Sequence, residues 1–173
     1  FKWIQGGLGV LTEDIAGHVH SKNSYEIHYI VGGKGELLTA EKSYNLREGM
    51  FFITGPNVYH EQKTHKEDPL TEVHCYLQCS GKKTNDILGN IFFEHRFYIG
   101  QQKKFKRYFL NIAKELEQKN IGYESMVECN LQYILTEYTR GCIKEYKLPK
   151  KEDMADLNLS LIHISEPTRL GMI

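Results

Sequence analysis

Residues 25–31, Tyr25-Glu26-Ile27-His28-Tyr29-Ile30-Val31, alternate strictly and then stop at Gly32-Gly33-Lys34-Gly35. Tyr25, Ile27, Tyr29 and Val31 fall on one face; Glu26, His28 and Ile30 fall on the other. A period of two in aromatic and β-branched residues predicts a strand, because successive side chains point to opposite sides. The glycine cluster predicts a turn, since glycine reaches positive φ without strain. A strand with side chains of two kinds needs neighbours on both sides, so this segment predicts a multi-stranded β fold. Further strands are expected at 36–40, 43–46, 50–54, 58–62 and 72–79, with a polar loop or hairpin tip at 63–71. Short strands at this spacing indicate a sandwich or barrel.

After Gly81 the period changes. Residues 85–95 are expected to form a short helix. Over 104–119, Phe105, Tyr108, Phe109, Ile112 and Leu116 recur at helical spacing. Gly122 is read as the region of the C-terminal cap. A second helix is expected over 123–146, with Val127, Leu131, Ile134, Leu135 and Tyr138 as its apolar stripe. Two such helices joined by a short loop make an antiparallel hairpin. The fold class is therefore mainly β with C-terminal α, a barrel followed by a helical hairpin. The expected division is 1–81 barrel, 84–148 helices and 149–173 linker and tail.

Lys plus Arg and Asp plus Glu both number 22, so net charge gives no sign of a nucleic-acid surface. No apolar run is long enough to span a bilayer. Cys75, Cys79, Cys129 and Cys142 contain no C-x-x-C pair and are read as thiols in a reducing cytoplasm. Neither a phosphate-binding Gly-Lys loop nor a dinucleotide fingerprint occurs, and no serine sits on a nucleophile elbow.

Chemistry-bearing residues gather around the first strand. His18 and His20 precede it, Glu26 and His28 share one of its faces, and Pro56-Asn57-Val58-Tyr59-His60 returns later. Burying an unpaired polar group costs roughly 2–7 kcal/mol. Glu26 and His28 are thus expected to line a polar pocket, with a solvated edge-strand face as the alternative. His20, Glu26, His28, Tyr59 and His60 are the expected effector-binding residues, Tyr59 by stacking on a ligand or by sealing the barrel end. His74 is expected on a partly exposed strand face beside Tyr76 and Gln78.

Three segments carry a family resemblance: residues 25–37, then Tyr44-Asn45-Leu46-Arg47-Glu48-Gly49-Met50-Phe51-Phe52-Ile53, then Pro56 to His60. Together they resemble the cupin-type sensor domain of AraC-family transcriptional regulators, and the two helices resemble that family's dimerisation and linker helices. The resemblance covers roughly residues 1–154. It implies a cupin-like jelly-roll barrel in a bacterial, cytoplasmic regulator. This would be a non-enzymatic domain that binds a small polar effector, such as a sugar or related metabolite, and forms a homodimer. The resemblance implies dimer contacts through Phe105, Phe109, Ile112, Leu116, Leu131 and Leu135, with the helices also packing on the barrel. DNA would be reached only through helix-turn-helix units, which nothing here resembles. No cofactor or metal is assigned.

The alternative is a metal-dependent cupin enzyme, of isomerase or dioxygenase type. Enzymatic cupins hold a metal with two histidines and a carboxylate from one motif and a histidine from a second; here that set would be His18, His20, Glu26 and His60. The chain departs from that pattern: five residues separate His20 from Glu26, and the second motif lacks its usual glycine. A third possibility is a dimerisation module whose barrel is filled by its own side chains.

The chain opens Phe1-Lys2-Trp3 and is expected to be cut at both ends. Residues 159–169 resemble the conceptual translation of a transposase-type sequencing adapter. They are expected to encode no biology, and the native gene is expected to continue differently past about Asp156.

Overall fold

The computed structural model describes residues 1–79 and 94–143. Most of the expected 85–95 helix, and everything from 144 onward, including the linker and the adapter-like segment, lies outside the described residues. The described residues form nine strands: β1 (Lys2–Val10), β2 (Ile15–His18), β3 (Ser24–Gly32), β4 (Lys34–Thr39), β5 (Ser43–Arg47), β6 (Met50–Thr54), β7 (His60–Thr64), β8 (Thr71–Gln78) and β9 (Phe97–Gln101). A 3-10 turn (Lys103–Phe105) leads into helix α1 (Lys106–Gln118), followed by α2 (Tyr123–Ile143).

The strands form two antiparallel sheets. The larger has the order β1-β8-β3-β6-β9 and the smaller β2-β7-β4-β5. The chain passes repeatedly between them, a jelly-roll arrangement of the cupin-like kind. The expected cupin-like jelly roll is present, its two sheets left unclosed, since no ladder among the described residues joins one to the other.

The central strands β3 and β6 of the larger sheet are buried on both faces. Tyr25, Ile27, Tyr29, Phe51, Ile53, Val73, Cys75 and Leu77 pack outward against Phe105, Phe109, Ile112, Val127, Leu131, Ile134 and Tyr138 of the helical region. Tyr29 stacks on Phe109 with ring centroids 5.0 Å apart. Between the two sheets, Ile30 and Phe52 from the larger, Leu37 and Leu46 from the smaller, and Leu70 form a second apolar cluster.

The helices pack on the β domain as expected, and that packing takes up the residues also expected at a dimer surface. Phe105, Phe109, Ile112, Leu131 and Leu135 are buried, and Leu116 packs half-buried against the same core. Their helical periodicity is real, but the apolar outer face of the sheet takes them up within one chain. Among the helical side chains left outside are Leu110, Met126 and Tyr133.

Boundaries shift where turns intervene. The expected 58–62 strand begins only at His60, because Asn57 turns at φ 62° and the Val58 N–H bonds the Gly55 carbonyl. Lys63 and Thr64 belong to β7 rather than to the loop. β9 lies beyond the expected end of the barrel at residue 81, yet it pairs with β6 from Met50↔Gln101 to Thr54↔Phe97. The left-handed cap of α1 is Lys119 at φ 47°, not Gly122, which turns at φ 83° into α2. Gly33, at φ 79°, meets its expectation: a Cβ there would collide with the Pro69 carbonyl.

Phe109 joins helix to sheet, so Phe109→Ala is expected to cost about 3–5 kcal/mol of stability through the lost burial and residual cavity. Urea unfolding measures this; a loss below about 1 kcal/mol would mean that the helices do not depend on this contact.

Candidate functional site

The inner face of β3 presents Glu26 and His28 to the space between the sheets. Register sets their neighbours: Glu26 lies opposite Thr54 of β6 and Tyr76 of β8, and His28 opposite Phe52 and His74. β7 brings His60 and Gln62 from the other sheet, while His18 ends β2 and His20 follows it. His20, Glu26, His28, Thr54, His60, Gln62 and Glu72 are all buried. The interior is thus divided between the apolar cluster around Phe52 and this polar group.

A continuous set of contacts crosses the group. His20 Nε2 lies 3.2 Å from Thr54 Oγ1 and 3.3 Å from Glu26 Oε2. The same carboxylate oxygen lies 3.3 Å from His28 Nε2, and the Tyr76 hydroxyl hydrogen-bonds Glu26. On its other side His28 donates from Nδ1 to Glu72 Oε1 at 3.1 Å, and Gln62 Nε2 donates to Glu72 Oε2 at 2.7 Å. The His28 ring stacks flat on Phe52, centroids 4.2 Å apart. Burial opposes a charge on His28, but Glu26 and Glu72 on either side outweigh it and push its pKa up to about 10. Burial likewise opposes ionisation of Glu26 and Glu72; His28 overcomes it for both, and both carboxyls sit below the usual carboxylate range. Two carboxylates therefore enclose one imidazolium, leaving one negative charge in excess among the three.

The remaining histidines converge beside this chain of contacts. His18 and His60 pair across β2 and β7, ring centroids 4.3 Å apart, and His20 lies 4.9 Å from His60. The His60 Nδ1–H donates to the Val58 carbonyl at 3.0 Å, and the His18 Nδ1–H to the Ala16 carbonyl at 2.9 Å. A carbonyl only accepts, so these bonds place the proton on Nδ1 of both rings. Burial lowers the His60 pKa to about 4, against the pull of the Val58 carbonyl, so this ring is neutral. One donor atom each from His18, His20, Glu26 and His60 lies within 4.8 Å of the others, the arrangement of a metal-ligand set. The five-residue spacing after His20 does not keep Glu26 away. His20 makes a lone bridge to Pro56, and Asn23, at φ 71°, turns the chain back into β3.

Tyr59 is not in this group. It is 43% exposed and lies over Gly17, on the far side of β2 from the cluster. Neighbouring residues diverge at the start of a strand, so an inward His60 sends Tyr59 out. Glu72, Gln62 and Thr54 join the site without having been expected there. Glu72 shares its strand parity with His74 and Tyr76, which is the one signal the sequence offers; the closing of β8 against β3 buries it. Two surface grooves of about 570 and 370 Å³ share no residue with the polar group.

Removing one member of a buried ion pair leaves the other uncompensated. His28→Leu is therefore expected to cost about 3–5 kcal/mol of folding stability. Denaturant titration checks it; an unchanged midpoint would show that Glu26 and Glu72 do not need the imidazolium.

The family described as AraC-like ligand binding domain matches residues 12–135. No curated protein sequence matches the chain. Among solved structures, apo ToxT K231A from Vibrio cholerae is 11% identical with a TM-score of 0.54, over 82% of this chain and 56% of that one. Wild-type ToxT with bound unsaturated fatty acid is also 11% identical, with a TM-score of 0.53, over 83% and 56%. A cupin protein from Bacteroides fragilis is 16% identical with a TM-score of 0.38, over 45% of this chain and 66% of that one. The chain thus spans little more than half of ToxT, and likeness at these identities concerns fold alone. No described helix is long and apolar enough to cross a membrane. With 12–135 covering most of its described residues, the chain belongs to the AraC-like ligand binding domain family.

Proposed function

We propose that this chain is the effector-sensing part of an AraC-type transcription regulator and performs no chemistry of its own. The observation that carries the reading is the buried set of His20, Glu26, His28 and His60, which a domain built only to dimerise has no need to enclose. Burial without function would favour apolar side chains there, since a buried ion pair seldom improves on them. A small polar effector engages this end of the sandwich. Electrostatics narrows its class. The fatty acid bound by ToxT is a carboxylic acid, whereas Glu26 and Glu72 would repel an anion here. A neutral polyol such as a sugar, or a cation, suits the site better.

β3 is the natural transmitter. His28 and Tyr29 are neighbours; the first belongs to the polar group and the second stacks on Phe109 of α1. A shift of β3 on the inside therefore reaches the helices on the outside. The effector moves that equilibrium only by its difference in affinity for the two states. The regulator works in the cytoplasm as a homodimer, whose contacts fall to side chains the core leaves exposed, such as Leu110, Met126 and Tyr133. DNA contact falls to separate helix-turn-helix units.

Calorimetry of the chain against a panel of sugars, polyols and amines tests the reading. One member is expected to bind, and Glu26→Gln and His60→Gln are each expected to weaken it by tenfold or more, about 1.4 kcal/mol. Binding that both variants leave intact would move the effector site elsewhere.

A further inference from the structure

We propose that the groove between the Glu48–Gly49 turn and the start of α1 is a second ligand site, suited to a small organic molecule that carries one carboxylate. Tyr29, Glu48, Gly49, Gln101, Lys103 and Lys106 line it. None of them belongs to the polar group between the sheets, and the proposal does not depend on the sensor reading.

The first argument is a buried hydroxyl. Tyr29 lies on the outer face of β3, is wholly buried, and stacks on Phe109. Its hydroxyl has no hydrogen-bond partner among the described residues. Leaving a buried polar group unpaired costs free energy, and most such groups in proteins do find a partner. Tyr29 nonetheless lines the groove and so forms its buried floor. Burial, and after it the Glu48 carboxylate, raise the hydroxyl above its ordinary pKa. The oxygen therefore lies at the Glu48 end of the groove and keeps its proton. It is a spare donor, and a carboxylate oxygen is the acceptor that would satisfy it.

The second argument is charge. Lys106 pairs with Glu48 and holds its carboxyl below the usual carboxylate range. Lys103 acts on the same carboxylate from farther away, so two ammonium groups share one carboxylate. Lys104, between them in sequence, turns instead to Glu137 of α2. The groove thus holds one positive charge in excess, which a monoanion balances. A phosphate ester, at about −1.5 to −2, would overshoot, and a sugar would leave the charge unmet. The polar group between the sheets has the opposite excess, so the two sites select different ligands.

The third argument is shape. A volume of about 370 Å³ lies at the small end of ligand pockets, which run from about 300 to 1,000 Å³. The turn that walls it is held in place: the Gly49 N–H donates to the Ile30 carbonyl, and the Gly49 carbonyl accepts from the Gln102 N–H. Gln101 Nε2 donates to the Glu48 carbonyl at 3.2 Å. Gly49 sits at φ 86°, and a Cβ on it would come within 2.9 Å of Gln101 Nε2 and 3.5 Å of Lys103 Cγ. A side chain there would crowd the wall. A molecule bridging Tyr29 and Lys103 would join the outer face of β3 to the segment that enters α1.

The test is calorimetric titration of the whole chain, at constant ionic strength, with acetate, lactate, benzoate and inorganic phosphate. At least one carboxylate is expected to bind one per chain, and more tightly than phosphate. Tyr29→Phe keeps the ring on Phe109 and removes only the hydroxyl; it should weaken that binding by about tenfold. Lys103→Met should weaken it by about threefold or more, and Lys66→Met, an exposed lysine outside the groove, should not. Lys103 is exposed, so its variant keeps the test decisive should Tyr29→Phe disturb the fold. Absence of saturable carboxylate binding, or phosphate binding at least as tight, overturns the proposal. So does carboxylate binding that Tyr29→Phe and Lys103→Met leave unchanged, or that Lys66→Met weakens as much as Lys103→Met.

Discussion

The carboxylates of Glu26 and Glu72 lie where water does not reach, and the His28 imidazolium between them is what makes that tolerable. Each carboxylate alone would carry a desolvation penalty of several kcal/mol. Joined through His28, and extended to His20, Thr54 and Gln62, they form one network in which nearly every polar atom has a partner. The network also fixes geometry. Its members come from β3, β6, β7, β8 and the stretch after β2, so both sheets must be in place for the whole to form. Packing on the outer face of the larger sheet then holds β3 still from behind.

That double burial explains which parts of the fold are legible in the sequence. The alternation of 25–31 correctly separates Tyr25, Ile27 and Tyr29 from Glu26, His28 and Ile30, because strand parity is a local property. The same pattern cannot say what covers each face. The apolar stripes of the helices are equally clear, and equally silent about their partner. Phe109 and Leu131 therefore fit a second chain as well as their own sheet, and it is the sheet that buries them. β1 escapes a sequence reading because Gly6, Gly7 and Gly9 weaken its strand signal, and β9 because its residues, mostly half-buried, show no alternation.

The site divides in the same way. His20, Glu26, His28 and His60 are readable from residue type and order, and the fold brings them together. Glu72 and Gln62 are not, since only the register between β3 and β8 and between β4 and β7 carries them inward. Tyr59 fails on parity: one residue before an inward histidine, it has to face out. The unusual His20–Glu26 spacing proves immaterial, because a turn through Asn23 absorbs the extra residues.

Tyr59 nonetheless has a place. Its ring lies over Gly17 on one side of β2, while His60, the next residue, meets His18 on the other. Two consecutive residues thus hold the shortest strand like finger and thumb. Both residues follow the bend at Asn57, which turns at φ 62°. A change in that one turn would therefore bear on both sides of β2 at once.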